Sequence, residues 1–120
     1  MTKILLVEDD HLVASLVTKI LARTKRQLLV ARNGDEALKI CRRSERLGMV
    51  ISDIVMPGMS GPEWVQAAGD SLTDVPVAYI SGYSDAAVSS HGWRIGDREL
   101  LAKPFHVQEL LDLVERHLGE

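Results

Sequence analysis

The sequence predicts an α/β domain in which a parallel sheet is covered by helices on both faces. Short apolar runs alternate along the chain with segments whose apolar residues recur at helical spacing, which is the pattern of repeated strand–helix units. The apolar runs are continuous and do not alternate with polar residues, as expected for strands buried on both sides. With 120 residues the chain has the length of one domain. We therefore expect a single domain over residues 1–120 and no further domain.

The first half of the chain predicts three strands and two helices. The strands are expected at Ile4–Val7, Gln27–Ala31 and Met49–Ser52. The first helix carries an apolar stripe at helical spacing, formed by Leu12, Val13, Leu16, Val17, Ile20 and Leu21. The second helix is expected from Glu36 to about Arg46. Asp35 is predicted as its N-cap because it follows an Asn33-Gly34 turn.

The second half predicts two more strands and three helices. Pro57-Gly58 and Ser60-Gly61-Pro62 predict a loop, and a helix follows from Pro62 to about Leu72 because proline suits a first helical turn. The other elements are a strand at Val77–Ile80, a short helix at Asp85–His91, a strand at Leu100–Ala102 and a closing helix that ends near Leu118.

Five strands joined by helices imply a doubly wound sheet, because right-handed crossovers place helices on both of its faces. The expected strand order at this size is 2-1-3-4-5, the flavodoxin-like arrangement of three layers. In such sheets the functional site lies beyond the carboxyl ends of the strands, at the switch point between strands 1 and 3. The residues that follow each strand are therefore the first candidates.

Composition and charge exclude several classes of function. The chain has 14 Lys and Arg against 17 Asp and Glu, for a net charge of −3, so it lacks the excess of basic residues typical of nucleic-acid binding. A single cysteine excludes an internal disulfide. The N-terminal apolar run is too short for a signal peptide or a membrane span. We therefore expect a cytoplasmic protein that binds neither nucleic acid nor membrane directly.

The strand ends carry acids, a hydroxyl and a lysine. Glu8 and Asp9 follow strand 1, Asp53 ends strand 3, Ser81 ends strand 4 and Lys103 follows strand 5. Because strands 1 and 3 are neighbours, Asp9 and Asp53 should lie about 5–7 Å apart. Such close carboxylates repel, and their oxygen atoms suit Mg²⁺. A lysine stem spans much of the roughly 10 Å between strands 3 and 5.

Together these groups suit the acceptance of a phosphoryl group. A divalent cation and Lys103 would neutralise the charge on the phosphoryl oxygens while Asp53 attacks in line. Taken one at a time, the acids could cap a helix and the lysine could simply end a strand. Their coincidence at one edge of one sheet favours the chemical interpretation.

The motifs ILLVEDD, SDIVMPGMSG, ISGYSD and LLAKPF carry a specific resemblance. The chain resembles, along its whole length, the receiver domain of two-component response regulators, the family of the single-domain chemotaxis regulator. The resemblance implies that Asp53 is the phosphoacceptor, which takes the phosphoryl group from a phosphohistidine of a sensor histidine kinase or a histidine phosphotransferase. It also implies that Ser81 is the switch hydroxyl and that Lys103 binds the phosphoryl group.

The same resemblance implies a metal centre and a cis peptide bond. Mg²⁺ or Mn²⁺ would be bound by Asp9, by Asp53 and by the main-chain carbonyl of Val55, with Glu8 acting mainly through water. The bond between Lys103 and Pro104 is expected to be cis, which the lower cis penalty of proline allows.

Two departures from the family pattern affect the expected behaviour. Leu100 occupies the position where many members carry a Tyr or Phe that swings inward on activation. The resemblance also implies that Val55 and Tyr83 would flank the water that hydrolyses the acyl phosphate, and neither is a base able to orient that water. We hypothesise that this pair shields the phosphoryl group and slows its hydrolysis.

Several alternatives and partners follow from the sequence. The chain could be a receiver-fold interaction module that works without phosphorylation, or a receiver fragment of a hybrid histidine kinase. A downstream protein target is expected on the face formed by the fourth helix, the fifth strand and the fifth helix, where the family docks its partners. A flavodoxin-like nucleotide binder is disfavoured because acids, rather than a glycine-rich loop, follow strand 1. Trp64 is expected to pack near the Asp53 loop, and Trp93 is expected in the core or as an exposed contact residue on the partner face.

Overall fold

Five parallel strands form one sheet in the computed structural model, which describes residues 3–43, 47–83, 85–93, 95–96 and 98–119. The strands are β1 (Lys3–Val7), β2 (Gln27–Ala31), β3 (Met49–Asp53), β4 (Val77–Ser81) and β5 (Glu99–Ala102). Their order across the sheet is β2-β1-β3-β4-β5, and every neighbouring pair is parallel. The predicted doubly wound fold is therefore confirmed, with the switch point between β1 and β3.

Helices connect the strands at the predicted places. They are α1 (His11–Leu21), α2 (Gly34–Arg43), α3 (Gly61–Ala68), α4 (Asp85–Ser90) and α5 (Val107–Leu118). The α-helical part of α3 ends before the predicted Leu72, because Gly69 adopts a positive φ of 51° and a 3₁₀ turn follows. The predicted end of α2 near Arg46 lies outside the described residues. None of the described helices is both long and apolar enough to cross a bilayer.

The start of α2 differs from the prediction. The helix begins at Gly34 rather than Glu36, and Asn33 takes the capping role that was assigned to Asp35. The side-chain oxygen of Asn33 accepts a hydrogen bond from the amide of Glu36 at 2.9 Å, as an N-cap does. Asp35 lies in the first turn, where a negative charge interacts favourably with the helix dipole.

The sheet buries apolar side chains on both faces. On one face, Leu5, Val7 and Val50 belong to a cluster that includes Trp64 and Tyr79. The opposite face carries a second cluster, which includes Ile4, Leu6, Ile51, Val17, Ile20, Leu21, Leu110, Leu113 and Val114. Each interior strand therefore supplies both layers, which explains why its sequence is continuously apolar. The indole Nε1 of Trp64 donates to Ser52 Oγ at 2.9 Å, so this ring packs next to Asp53 as predicted.

The apolar stripe of α1 is only partly covered. Val17, Ile20 and Leu21 are buried, whereas the side chains of Leu12 and Leu16 are 78% and 53% exposed. The sequence pattern predicts only that these apolar residues share one face of the helix. In the structure, α1 leaves its N-terminal leucines at the surface, close to the acids that follow β1.

Candidate functional site

The register of the sheet brings the predicted residues to one edge. Val7 pairs with Ser52 and Asp53 pairs with Ile80, so β1, β3 and β4 end at nearly the same level. Ser81 pairs with Ala102, and Lys103 follows directly. The amide of Lys103 donates to the carbonyl oxygen of Ser81 at 2.8 Å, which continues the β4–β5 pairing by one residue beyond β5.

Three carboxylates converge at this edge. Glu8, Asp9 and Asp53 each offer one oxygen atom, and these oxygens lie within 4.8 Å of one another. Glu8 and Asp53 are buried, at 1% and 6% exposure, whereas Asp9 is exposed. A cluster made only of hard oxygen donors, with one side open to water, fits a cation such as Mg²⁺, which keeps part of its hydration shell.

Lys103 supplies a positive charge to the same cluster. Its Nζ lies 3.0 Å from Asp53 Oδ2 and 3.3 Å from Glu8 Oε1. Burial of the ammonium acts to lower the pKa of Lys103, but the hydrogen bond and the charge of Asp53 outweigh that effect and raise it. Lys103 therefore stays protonated and holds the Asp53 carboxylate from the side of β5. The peptide bond between Lys103 and Pro104 is cis, as expected.

The buried carboxylate of Glu8 is short of positive charge. Burial raises the pKa of Glu8 to about 7, and the nearby charge of Asp53 acts in the same direction. The amide of Asp10 opposes this shift by donating to Glu8 Oε2 at 3.1 Å. The single positive charge of Lys103 therefore does not fully balance the negative charge of Glu8, as expected of a site that takes up a further cation.

Ser81 is buried, and its hydroxyl is held by the loop that follows β4. Ser81 Oγ accepts a hydrogen bond from the amide of Tyr83 at 2.9 Å. Val55 and Tyr83 lie in the loops after β3 and β4, and each is 40% exposed. The metal-binding role of the Val55 carbonyl stays a prediction.

The loop after Asp53 is fixed by a close approach of two main-chain segments. The amide of Gly61 donates to the carbonyl of Ile54 at 2.8 Å, and the amide of Ile54 donates to the carbonyl of Ile80 at 3.1 Å. A Cβ at Gly61 would overlap the carbonyl oxygen of Asp53 and would lie 3.2 Å from Ile54 Cα. Only glycine fits there, so Gly61 is a structural determinant of the site that spacing and residue type did not reveal.

A cluster of three aromatic rings near the site was not predicted from the sequence. The ring of His91 stacks on that of Trp93, with centroids 4.6 Å apart and planes inclined by 7°. Tyr83 lies 5.3 Å from His91 and 5.6 Å from Trp93. Trp93 is half-buried and packs against the core, so it lies between the buried and the exposed positions expected for it. The close sequence spacing of the three rings was the available signal.

The chain matches known proteins over nearly all of its length. The family model of the response regulator receiver domain matches residues 4–115. The response regulator receiver protein CpdR of Brucella abortus is 30% identical over 118 residues, which cover 98% of each chain. Two other curated relatives are longer, and the chain spans only 25% and 46% of their length.

Solved structures of receiver domains share the fold. The receiver domain of the hybrid histidine kinase CckA has a TM-score of 0.81 and 32% identity, with 97% of this chain and 98% of that chain covered. The response regulator TrrA of Thermotoga maritima, in complex with Mg²⁺-BeF, has a TM-score of 0.81 and 31% identity, with 98% and 100% covered. With its doubly wound sheet and the acids and lysine at its edge, the chain belongs to the response regulator receiver domain family of two-component signalling.

Proposed function

We propose that Asp53 accepts a phosphoryl group from the phosphohistidine of a sensor histidine kinase or a histidine phosphotransferase. The observation that carries this proposal is the contact of 3.0 Å between Lys103 Nζ and Asp53 Oδ2, at the edge where the oxygens of Glu8, Asp9 and Asp53 converge within 4.8 Å. A buried carboxylate that faces both a fixed cation and a metal-binding cluster suits an acceptor of phosphate.

In the proposed reaction, a carboxylate oxygen of Asp53 attacks the phosphorus atom in line with the bond to the histidine nitrogen. The new O–P bond forms as the N–P bond breaks, and the released imidazole of the donor takes up a proton. Lys103 neutralises part of the charge on the transferred oxygens. Asp9 and Asp53, together with Glu8 and the carbonyl of Val55, would hold Mg²⁺, which when bound supplies further neutralisation of the phosphoryl charge. TrrA, which was solved with Mg²⁺-BeF, supports this assignment.

The hydroxyl of Ser81 is proposed to report the phosphorylated state. It is engaged by the amide of Tyr83 at 2.9 Å, and turning towards a phosphoryl group on Asp53 would release the loop that leads into α4. The output surface is proposed to be the face of α4, β5 and α5. Leu100 is aliphatic, so the release of Ser81, rather than the rotation of an aromatic ring at that position, would alter this face.

The exposed leucines of α1 are proposed to receive the upstream partner. Leu12 and Leu16 are 78% and 53% exposed and lie one turn apart, so their side chains share one face of the helix. The helix begins directly after Asp10, which caps it through bonds to the amides of Leu12 and Val13. A partner that covers these leucines would therefore be close to Asp53 and could present a phosphohistidine to it.

The test is an intact-mass measurement after incubation with Mg²⁺ and acetyl phosphate. The wild-type chain is expected to gain about 80 Da, the mass of one phosphoryl group, and the Asp53→Asn variant is expected to gain nothing. Omission of Mg²⁺ provides the control for metal dependence. A wild-type chain without an adduct would instead favour an interaction module that works without phosphorylation.

A further inference from the structure

A cavity of about 510 Å³ lies on the α3 side of the sheet, away from the acidic cluster. The first turns of α3 supply one wall through Pro62, Glu63 and Val65, and residues that precede β5 supply the other through Trp93 and Arg98. None of the residues proposed to bind metal or phosphate is among those that line the cavity. Its volume falls within the range of about 300–1,000 Å³ that is typical of small-molecule sites.

The floor of the cavity carries a tyrosine hydroxyl that has no partner among the described residues. Tyr79, in the middle of β4, is 1% exposed and lines the cavity. Among the residues that the structure describes, no group forms a hydrogen bond with its hydroxyl. No buried side-chain oxygen or nitrogen atom of the described residues lacks a partner, so this hydroxyl, which has none, opens to the cavity. Tyr79 therefore offers a hydrogen bond that a bound molecule could complete.

The protonation state of Tyr79 decides whether its hydroxyl can donate a hydrogen bond to a ligand. Burial raises the pKa of Tyr79 to about 12, and the nearby positive charge of Arg98 only partly opposes this. The hydroxyl is thus protonated at neutral pH and can donate. The exposed guanidinium of Arg98 forms no ion pair in the described part of the chain, so two donors at this cavity are available to a ligand.

The remaining walls combine apolar surface with a carboxylate that is already engaged. Val65 supplies aliphatic surface, and Trp93 supplies the part of its indole ring that His91 does not cover. Glu63 Oε1 accepts a hydrogen bond from the amide of Ser60 at 2.8 Å as part of the capping box of α3, so this acid serves the helix. The open donors and the apolar walls together suit an acceptor group on an apolar body.

We propose that this cavity binds a small organic carboxylate with a flat apolar body. The carboxylate accepts hydrogen bonds from the Tyr79 hydroxyl and the Arg98 guanidinium, and the body lies against Trp93 and Val65. Tyr79 precedes Ser81 by two residues on β4. A ligand in the cavity would therefore contact the strand that ends at the phosphoacceptor site. The carboxylate class follows from the two unpaired donors, and the flat body follows from the indole ring.

The test uses the two tryptophans of the chain as separate reporters in ¹H–¹⁵N NMR spectra. Benzoate is the probe, and benzamide, which has the same shape without the charge, is the matched control. Benzoate is expected to shift the indole cross-peak of Trp93 in a saturable manner and to leave that of Trp64 unchanged, because Trp64 is buried against Ser52. A Trp93→Phe variant assigns the two peaks.

Two variants locate the carboxylate. Arg98→Gln and Tyr79→Phe are each expected to weaken benzoate binding roughly tenfold, the usual effect of losing a hydrogen bond to a charged group. Tyr79→Phe removes only the hydroxyl, and the shortened side chain in Arg98→Gln is exposed, so the fold should persist. Acetyl phosphate should still modify both variants. A shift that grows linearly with concentration, equal binding of benzamide, or benzoate binding that is unchanged in both variants would overturn the proposal.

Discussion

The ammonium of Lys103 lies 3.0 Å from Oδ2 of Asp53, across 50 positions of sequence and across the intervening strand β4. Two strand spacings of a parallel sheet measure roughly 10 Å, and the lysine stem reaches across much of that distance from the end of β5 to meet the side chain of Asp53. The lysine is held there because its amide pairs with the carbonyl of Ser81 at 2.8 Å. The phosphoacceptor candidate therefore has a built-in cation, independent of any metal.

Replacing Lys103 by Gln should slow phosphoryl transfer while Mg²⁺ binding is retained. The variant is expected to react with acetyl phosphate at least tenfold more slowly, because a charged hydrogen bond to Asp53 contributes roughly 1.5–3 kcal/mol. Mg²⁺ should bind as well as or better than in the wild type, since the ammonium no longer competes for the oxygens of Asp53 and Glu8. Rates come from intact mass and affinities from a Mg²⁺ titration. Equal rates in both chains would contradict the assigned role.

Mg²⁺ should raise the melting temperature of the wild-type chain. A ligand that binds only the folded state stabilises it by about 2.7 kcal/mol at one hundred times its Kd, which corresponds to several degrees in a domain of this size. The Asp9→Asn variant should lose most of this rise because Asp9 supplies one of the three converging oxygens. Circular dichroism at constant ionic strength measures the melting temperature with and without Mg²⁺. An equal rise in the Asp9→Asn variant would show that the metal binds elsewhere.

A Leu12→Ser change should slow phosphoryl transfer from a protein donor but not from acetyl phosphate. The side chain is 78% exposed, so the stability of the fold should change little. A partner that covers this side chain would lose the free energy of burying one leucine, which lowers its affinity roughly tenfold. Phosphorylation by acetyl phosphate should be unaffected. Val30→Ser is the matched control, since Val30 is 44% exposed on the edge strand β2. If both variants slow transfer equally, α1 is not the docking surface.

A Val55→Asn change should shorten the lifetime of the phosphorylated chain. Val55 and Tyr83 are each 40% exposed, and neither side chain can act as a base towards an attacking water. An amide at position 55 can orient that water, so the adduct of about 80 Da should be lost severalfold faster. Intact mass followed over time after removal of acetyl phosphate measures this. An unchanged or longer lifetime would remove the shielding hypothesis.

A Gly61→Ala change should destabilise the fold through the Asp53 loop. The added methyl would overlap the carbonyl oxygen of Asp53, and overpacking of this kind costs about 1–3 kcal/mol. Gly82→Ala is the control, because a Cβ there meets nothing within 4 Å. Urea unfolding compares the two. Equal free energies of unfolding would show that the loop adapts to the added methyl without cost.

The aromatic cluster and the cavity illustrate why part of the site escaped prediction. Tyr83, His91 and Trp93 are close in sequence, but their stacking depends on the path of the chain around α4. Tyr79 has the sequence character of an ordinary core residue, and only the shape of the space beside α3 opens its hydroxyl to a cavity. Such features depend on where irregular segments and neighbouring helices lie, which local periodicity does not encode.

The sequence by itself determined the strand order and the set of residues at the sheet edge, because parallel strands align their carboxyl ends and continuous apolar runs mark buried strands. Tertiary structure decided what local patterns leave open. It selected Asn33 over Asp35 as the cap of α2, since both residues can cap and only the backbone path distinguishes them. It exposed Leu12 on α1, because helical spacing shows which residues share a face and not how much of that face its neighbours cover.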